Sequence, residues 1–245
     1  MDVTFIEELS LNHWPALSTL LYDGWVLRFA EGYTKRANSI SPLYADKLEL
    51  TSKIDVCEQI YRENGLRPIF KLTDASPAAL DRHLAERGYE QVDRTSVQTL
   101  PLDQLRDPQH AAISIEDHPS DAWIADFCRL NGSPADHQAV MIRMLGKIRT
   151  AAGFIRLYEE GRAVACGFGV IERGYIGLYD IVTDPSCRNR GLAEQMILHL
   201  LQWGKREGAR FSYLAVVLNN APALRLYAKL GYKEAYRYWY RCAPC

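Results

Sequence analysis

Arg188-Asn189-Arg190-Gly191-Leu192-Ala193, preceded by Ile176–Val182 (IGLYDIV) and followed by EQMILHLLQWGKREGA, describes a strand, a glycine turn and an amphipathic helix in immediate succession. Thr183-Asp184-Pro185 stops the strand, because Pro185 lacks the N–H that a ladder needs and biases Asp184 away from helix. A helix starting at such a turn presents unpaired backbone N–H groups and the positive end of its dipole, which together hold a phosphate without a dedicated side chain. Gly191 and Ala193 matter for the bulk they lack, since a side chain at either place keeps a ligand off the backbone. Taken alone, the stretch reads equally as an ordinary strand-to-helix turn with a solvated arginine pair.

Downstream, Gly208 ends the helix and Phe211–Val217 (FSYLAVV) reads as a second strand. A second strand-to-helix transition follows, with Asn220 placed as N-cap and Gly231 as the C-terminal stop. The two stretches V-T-D-P-S-C-R-N-R-G-L-A and N-x-x-A-x-x-L-Y-x-x-x-G-Y stand in sequence order, and across residues 112 to 241 the chain resembles the GCN5-related N-acetyltransferase family. The resemblance implies acetyl-CoA as co-substrate and a primary amine as acceptor, with direct attack in a ternary complex. It places the coenzyme A pyrophosphate on Arg188, Asn189, Arg190, Gly191, Leu192 and Ala193, and the pantetheine arm along the backbone of Val182 and Thr183. At Thr183 a branched aliphatic residue is commoner in the family, a departure of little weight where backbone groups do the binding. Asn220 is implied as a hydrogen-bond partner of the cofactor arm, a role compatible with capping the helix. Tyr227 is implied beside the sulfur: a phenol of pKa about 10 keeps its proton at neutral pH and can protonate a thiolate of pKa about 8.5 as it leaves. Its other reading is an aromatic packing residue on an amphipathic helix.

The attacking amine also needs a base, and the candidate is Asp180, an acid inside an apolar strand. Alternation sets Gly177, Tyr179 and Ile181 on one face and Leu178 and Asp180 on the other. Family members with a carboxylate base in this strand carry it near the position of Gly177, out of phase with Asp180, so a structural hydrogen-bonding role for Asp180 stands ahead of the base. Tyr179 is the alternative residue lining the acceptor pocket. The histidines, His118, His137 and His199 among them, show no spacing with carboxylates that reads as a metal site.

Composition excludes little else. The 245 residues are 48% apolar and 24% charged with a net charge of -1, ordinary for a soluble globular chain and no footprint for nucleic acid or membrane. The start, MDVTFIEELSLNHW, has no basic then apolar leader pattern and no run reaches the about 18 apolar residues of a membrane span, which points to the cytoplasm. Six cysteines without framework spacing read as free thiols, and Cys242-Ala243-Pro244-Cys245 lacks the second ligand pair of a metal site.

The chain also repeats itself. A shift of 143 residues superposes Pro42–Tyr89 on Pro185–Tyr232 without a gap, with ten identical pairs including Pro42/Pro185, Gly65/Gly208, Gly88/Gly231 and Tyr89/Tyr232. Roughly three identities are expected by chance from average residue usage. At the same shift Arg188 becomes Ala45, Gly191 becomes Leu48, Ala193 becomes Leu50 and Tyr227 becomes Leu84, so the first copy is expected to keep the fold without the coenzyme A site. The expected architecture is α/β (α+β): a degenerate domain over 1–100, a linker over 101–111 and the acetyltransferase domain over 112–245, each domain a central mixed sheet flanked by helices. Helices are expected near Trp14–Leu21 and over Lys47–Asn64 and Ala78–Glu86, and strands over Gly24–Ala30 and Tyr33–Ile40. Two other functions fit the same motifs: a non-catalytic acyl-CoA-binding sensor, and transfer of a different acyl group. The assembly reads as monomer or homodimer.

Overall fold

A computed structural model describes residues 2–132 and 134–244. The first half runs α1 (Val3–His13), β1 (Ser18–Tyr22), β2 (Trp25–Phe29), β3 (Ile40–Pro42), α2 (Leu50–Glu63), β4 (Ile69–Thr73), α3 (Ala78–Glu86) and β5 (Glu90–Pro101). The second runs β6 (Ile113–Glu116), α4 (Asp121–Asn131), α5 (Ala135–Leu145), β7 (Ala152–Glu159), β8 (Arg162–Glu172), β9 (Tyr175–Thr183), α6 (Leu192–Arg206), β10 (Phe211–Val217), α7 (Ala221–Leu230) and β11 (Lys233–Cys242). The repeat is visible in these elements: α2, β4, α3 and β5 recur at the shift of 143 as α6, β10, α7 and β11.

The amino terminus differs from the expected helix over Trp14–Leu21. The helix lies earlier, as α1, where the Asp2 carboxylate accepts the Thr4 N–H at 2.9 Å and Ile6 and Leu9 are buried. Ser18–Tyr22 is a strand paired antiparallel with β2 from Ser18/Phe29 to Tyr22/Trp25. Asp23-Gly24, with φ of 42° and 78°, forms the two-residue turn between them, a hairpin signal that outweighs the helical spacing. The expected strand Tyr33–Ile40 contracts to a 3-10 turn at Lys35–Ala37 and the short β3. Asn38 is responsible: its Oδ1 accepts the N–H groups of Ala30 and Gly32 at 2.7 and 3.0 Å, which satisfies turn backbone that a strand would have paired.

The chain divides into two compact units. The first comprises Met1–Val97, Ala215–Ala221 and Glu234–Cys245. Its strands lie in the order β1-β2-β3-β4-β11, with β3 and β4 parallel and β4 and β11 antiparallel from Thr73/Tyr238 to Ile69/Cys242. Trp25, Leu27, Ile40, Ile54, Tyr61, Phe70, Leu72, Leu80 and Leu84 form its core. A buried ion pair, Lys71 Nζ to Glu7 Oε2 at 2.5 Å, is completed by the Tyr236 hydroxyl donating to Glu7 Oε1 at 2.7 Å, so neither charge is left without partners.

The second unit comprises Gln98–Leu214 and Pro222–Lys233, with strand order β10-β9-β8-β7-β6; β10 and β9 are parallel and the rest antiparallel. One face of its sheet carries an aromatic column in which Trp123 of α4 meets Phe154 and Phe168 edge-on and Phe168 stacks on Tyr179. The other face takes α6 at close range: a Cβ on Gly204 would stand 2.8 Å from Ile176 Cδ1, and one on Gly153 3.0 Å from the Trp203 ring.

These units differ from the sequence boundaries at two places. Residues 234–245, expected with the second domain, group with the first unit. Residues 101–111, expected as a linker, belong to the second unit and lie along α6: Gln195 Oε1 accepts the N–H groups of Gln109 and His110, Arg106 reaches Glu194 at 2.9 Å, and Leu102 is buried. A polar segment that finds partners on a helix has the composition of a linker without behaving as one.

Candidate functional site

The loop from Arg188 to Ala193 is held from below by Asp184. Its carboxylate accepts the Ser186 N–H at 3.0 Å and the Ser186 hydroxyl at 2.6 Å, and is paired with Arg162 at 3.1 Å. The Ser186 hydrogen bonds first, with Arg162 and Arg129 behind them, hold this carboxyl below the usual carboxylate range. Arg190 is committed sideways, its two guanidinium nitrogens donating to Glu159 at 2.7 and 2.8 Å, whereas Arg188 is exposed and among the described residues has no partner. Between them Asn189 takes φ 61° and Gly191 φ 79°. This pair of left-handed residues turns the chain into α6.

Gly191 is the N-cap of α6, and no side chain caps the helix. The first helical bond runs from Gln195 N–H to the Gly191 carbonyl at 3.1 Å, which leaves the N–H groups of Leu192, Ala193 and Glu194 ahead of it pointing out of the helix start. Nothing lies within 4 Å of a Cβ built on Gly191. Glu194 itself turns back, paired with Lys229 of α7 at 2.5 Å and with Arg106, and the lysine, then the arginine, keep its carboxyl below the ordinary range.

The counterpart in the first unit is built differently, and its acids are what the sequence comparison missed. The Asp23 carboxylate accepts the N–H groups of Lys47 and Leu48 at 3.1 and 2.9 Å, and Glu49, the N-cap of α2, accepts those of Thr51 and Ser52 at 2.8 Å each. Two carboxylates thus fill the seat that α6 leaves open. The backbone bonds from Leu48 to Asp23 and from Ser52 to Glu49 are the largest cause that brings each carboxyl down to about 2. Lys53, fully buried, adds its charge to Asp23 and Asp46 at 3.0 and 2.9 Å.

β9 is irregular at the residue in question. Phe168 pairs with Tyr179 but Cys166 pairs with Val182, so three steps of β9 face two of β8 and a bulge centres on Asp180, which takes φ 49°. The expected alternation breaks there. Tyr179 stays in the aromatic column, but Ile181 turns to the α6 face, its Cδ1 2.6 Å from where a Cβ on Gly167 would stand, with Met196 of α6 beside it. Tyr179 and Ile181 do not share a face, and the phase argument that set Asp180 behind a structural role no longer applies. On its other side β9 pairs with β10 over Tyr175/Phe211, Ile176/Ser212 and Gly177/Tyr213, where the described rungs end.

Tyr227 sits on α7, 8% exposed, edge-on to Tyr232 at 5.8 Å. Burial pushes its phenol up to about 12, and among the described residues its hydroxyl has no hydrogen-bond partner. Asn220 lies in the Ala215–Ala221 segment of the first unit; its N–H donates to the Val217 carbonyl at 3.0 Å and closes the turn before α7. The described cysteines, Cys57, Cys128, Cys166, Cys187 and Cys242, are free, and Cys245 lies outside the described residues. Among the described residues no group of three or more His, Cys, Asp or Glu could hold a metal ion, and no helix is long and apolar enough to cross a membrane.

The mixed sheet flanked by helices is the fold expected from the sequence. Residues 2–241 match the family described as "Probable histone acetyltransferase Rv0428c C-terminal", and the chain belongs to it and, with it, to the GCN5-related N-acetyltransferases. It is 32% identical to an uncharacterized N-acetyltransferase YobR of Bacillus subtilis over 98% of each chain. It is 30% identical to an aminoglycoside N(6')-acetyltransferase of Serratia marcescens over 51% of this chain and 93% of that one. Among solved structures, a GCN5-related N-acetyltransferase from Kribbella flavida superposes with a TM-score of 0.76 over 100% of this chain and 97% of that one, at 15% identity, a likeness of fold. A tandem protein of the family from the clavulanic acid pathway gives 0.63 at 15% identity over 80% of this chain and 70% of that one. The chain is an N-acetyltransferase by family, and amines are the acceptors its relatives' names state.

Proposed function

We propose that the second unit transfers the acetyl group of acetyl-CoA to a primary amine by direct attack, and that the first unit binds no coenzyme A. The contrast between the two helix starts carries the reading: α6 is uncapped beneath open space at Gly191, and α2 is closed by Glu49 and Asp23. Acetyl-CoA supplies the activated thioester. The outward N–H groups of Leu192 and Ala193, the turn at Asn189 and the exposed Arg188 receive its pyrophosphate; Arg190, held by Glu159, contributes backbone and fixes the loop. β9 at Val182 and Thr183, past the described β10 rungs, offers backbone groups to the pantetheine arm.

Tyr227 keeps its proton through the neutral range because burial disfavours the phenolate, which suits a donor to the departing thiolate. Asp180 is the candidate base. It stands at the bulge with φ 49°, where the regular alternation of the strand no longer sets the side of its carboxylate.

The test is an amine panel scored by free thiol release. Tyr227→Phe should lower kcat about 100-fold with little change in the KM for acetyl-CoA. If the wild type acetylates no amine but binds acetyl-CoA, the chain is a sensor; if longer acyl-CoAs react faster, it transfers another acyl group. A Tyr227→Phe enzyme as fast as wild type at every pH removes the acid role.

A further inference from the structure

The side-chain bridge that follows the last β9/β10 rung is unaccounted for by the site as described. Tyr213 stands on that rung, opposite Gly177, and its hydroxyl meets the Tyr179 hydroxyl, two residues further along β9, at 2.5 Å. Both residues are buried, at 3% and 5% exposed. Tyr179 cannot swing away: its ring stacks on Phe168 at 5.3 Å, and Phe168 on Phe154 at 5.2 Å, with Trp123 edge-on to both. Tyr213 meets Tyr179 edge-on, at 89° and 6.3 Å between centroids. Ser212, one residue earlier and facing the other way by alternation, donates to or accepts from the Tyr232 hydroxyl at 2.6 Å, and Tyr232 is the ring against which Tyr227 lies.

We infer that the Tyr179–Tyr213 hydroxyl pair is a strut that fixes how β9 departs from β10, making both tyrosines positioning residues for the acyl-pantetheine arm. Past Gly177/Tyr213, where the backbone rungs end, side-chain contacts between the two strands help to set how far they part. Here Tyr213 on the final rung and Tyr179 two residues beyond it share a short bond between phenols, and Tyr179 is locked in a stacked column. The residue after Tyr179 is Asp180, so the strut also sets where the bulge begins. The inference rests on the acetyltransferase reading.

The experiment compares two ligands that share one end. 3′-Phospho-ADP carries the pyrophosphate but no pantetheine, and coenzyme A carries both. Tyr213→Phe and Tyr179→Phe remove one hydroxyl each and keep the rings. Calorimetry should show coenzyme A weakened about tenfold in either variant, as for loss of one buried hydrogen bond, with 3′-phospho-ADP unchanged within about twofold. The double variant should be no weaker than the worse single one, because all three lose the same bond. Thermal melts check that each variant folds; should one fail, the substitution on the other strand carries the same comparison. Equal loss for both ligands, or no loss for either, overturns the strut. Wild-type protein that binds neither ligand removes the acetyltransferase reading and the inference with it, a pattern distinct from both.

Discussion

Gly191 shows how one residue separates a ligand's requirement from the fold's own. Its φ of 79° is unfavourable for any residue with a Cβ, yet a Cβ there meets no atom of the protein. Gly191→Ala should therefore cost about 1–2 kcal/mol of stability, the left-handed penalty alone, read as a lower urea midpoint at unchanged slope. Gly191→Glu should abolish acetyl-CoA binding in calorimetry, because it places an acid at the proposed pyrophosphate seat; retained binding would show that the loop is not the seat. Tyr227 makes the complementary point about protons. With the phenol near 12, activity should show no alkaline fall attributable to Tyr227 below about pH 11, and the alkaline limb of Tyr227→Phe should match the wild type there.

At the scale of elements, α2 and α6 start from the same sequence register and end in opposite electrostatic states. Asp23 and Glu49 are depressed acids, so the stability they contribute is fully present above the unfolded carboxylate range near 4 and is lost as pH falls through their folded values near 2. Glu49→Gln should flatten the fall in urea-unfolding stability between about pH 5 and pH 2 relative to wild type; an unchanged slope would mean that the cap carries no charge-dependent stability. Glu49 is solvent-exposed, so salt should reduce its effect, whereas Asp23 is half-buried against Lys53 and should be screened less. β9 is the other instructive element. Its strand character is plain from IGLYDIV, but its bulge is not, because nothing in the composition of Tyr179-Asp180-Ile181 says where an extra residue is accommodated. It shows only in the pairing with β8, and Ile181 then lies over Gly167, a residue distant in sequence.

For the whole molecule, calorimetry of acetyl-CoA should give one site per chain, and two would sink the reading of the first unit as closed. Much of this organisation is legible from residues: Asp184-Pro185, Gly191, Gly231-Tyr232 and the repeat at 143 are local punctuation, and local backbone preferences act over a few residues whatever the surroundings. The Asp23-Gly24 turn was equally legible, and its precedence over the helical spacing at Trp14–Leu21 is a matter of hairpin geometry. The sequence by itself determined the order of elements from α2 onward, the fold family, the loop and tyrosine motifs and the divergence of the first copy from that loop. Only the tertiary structure decided that carboxylates close the first helix start, that Asp180 sits on a bulge, that residues 101–111 pack along α6 and that residues 234–245 group with the first unit. The physical reason is range. Turns and caps depend on neighbouring residues, but a hydrogen bond from Leu48 to Asp23 or from His110 to Gln195 exists only once the fold has brought distant segments together.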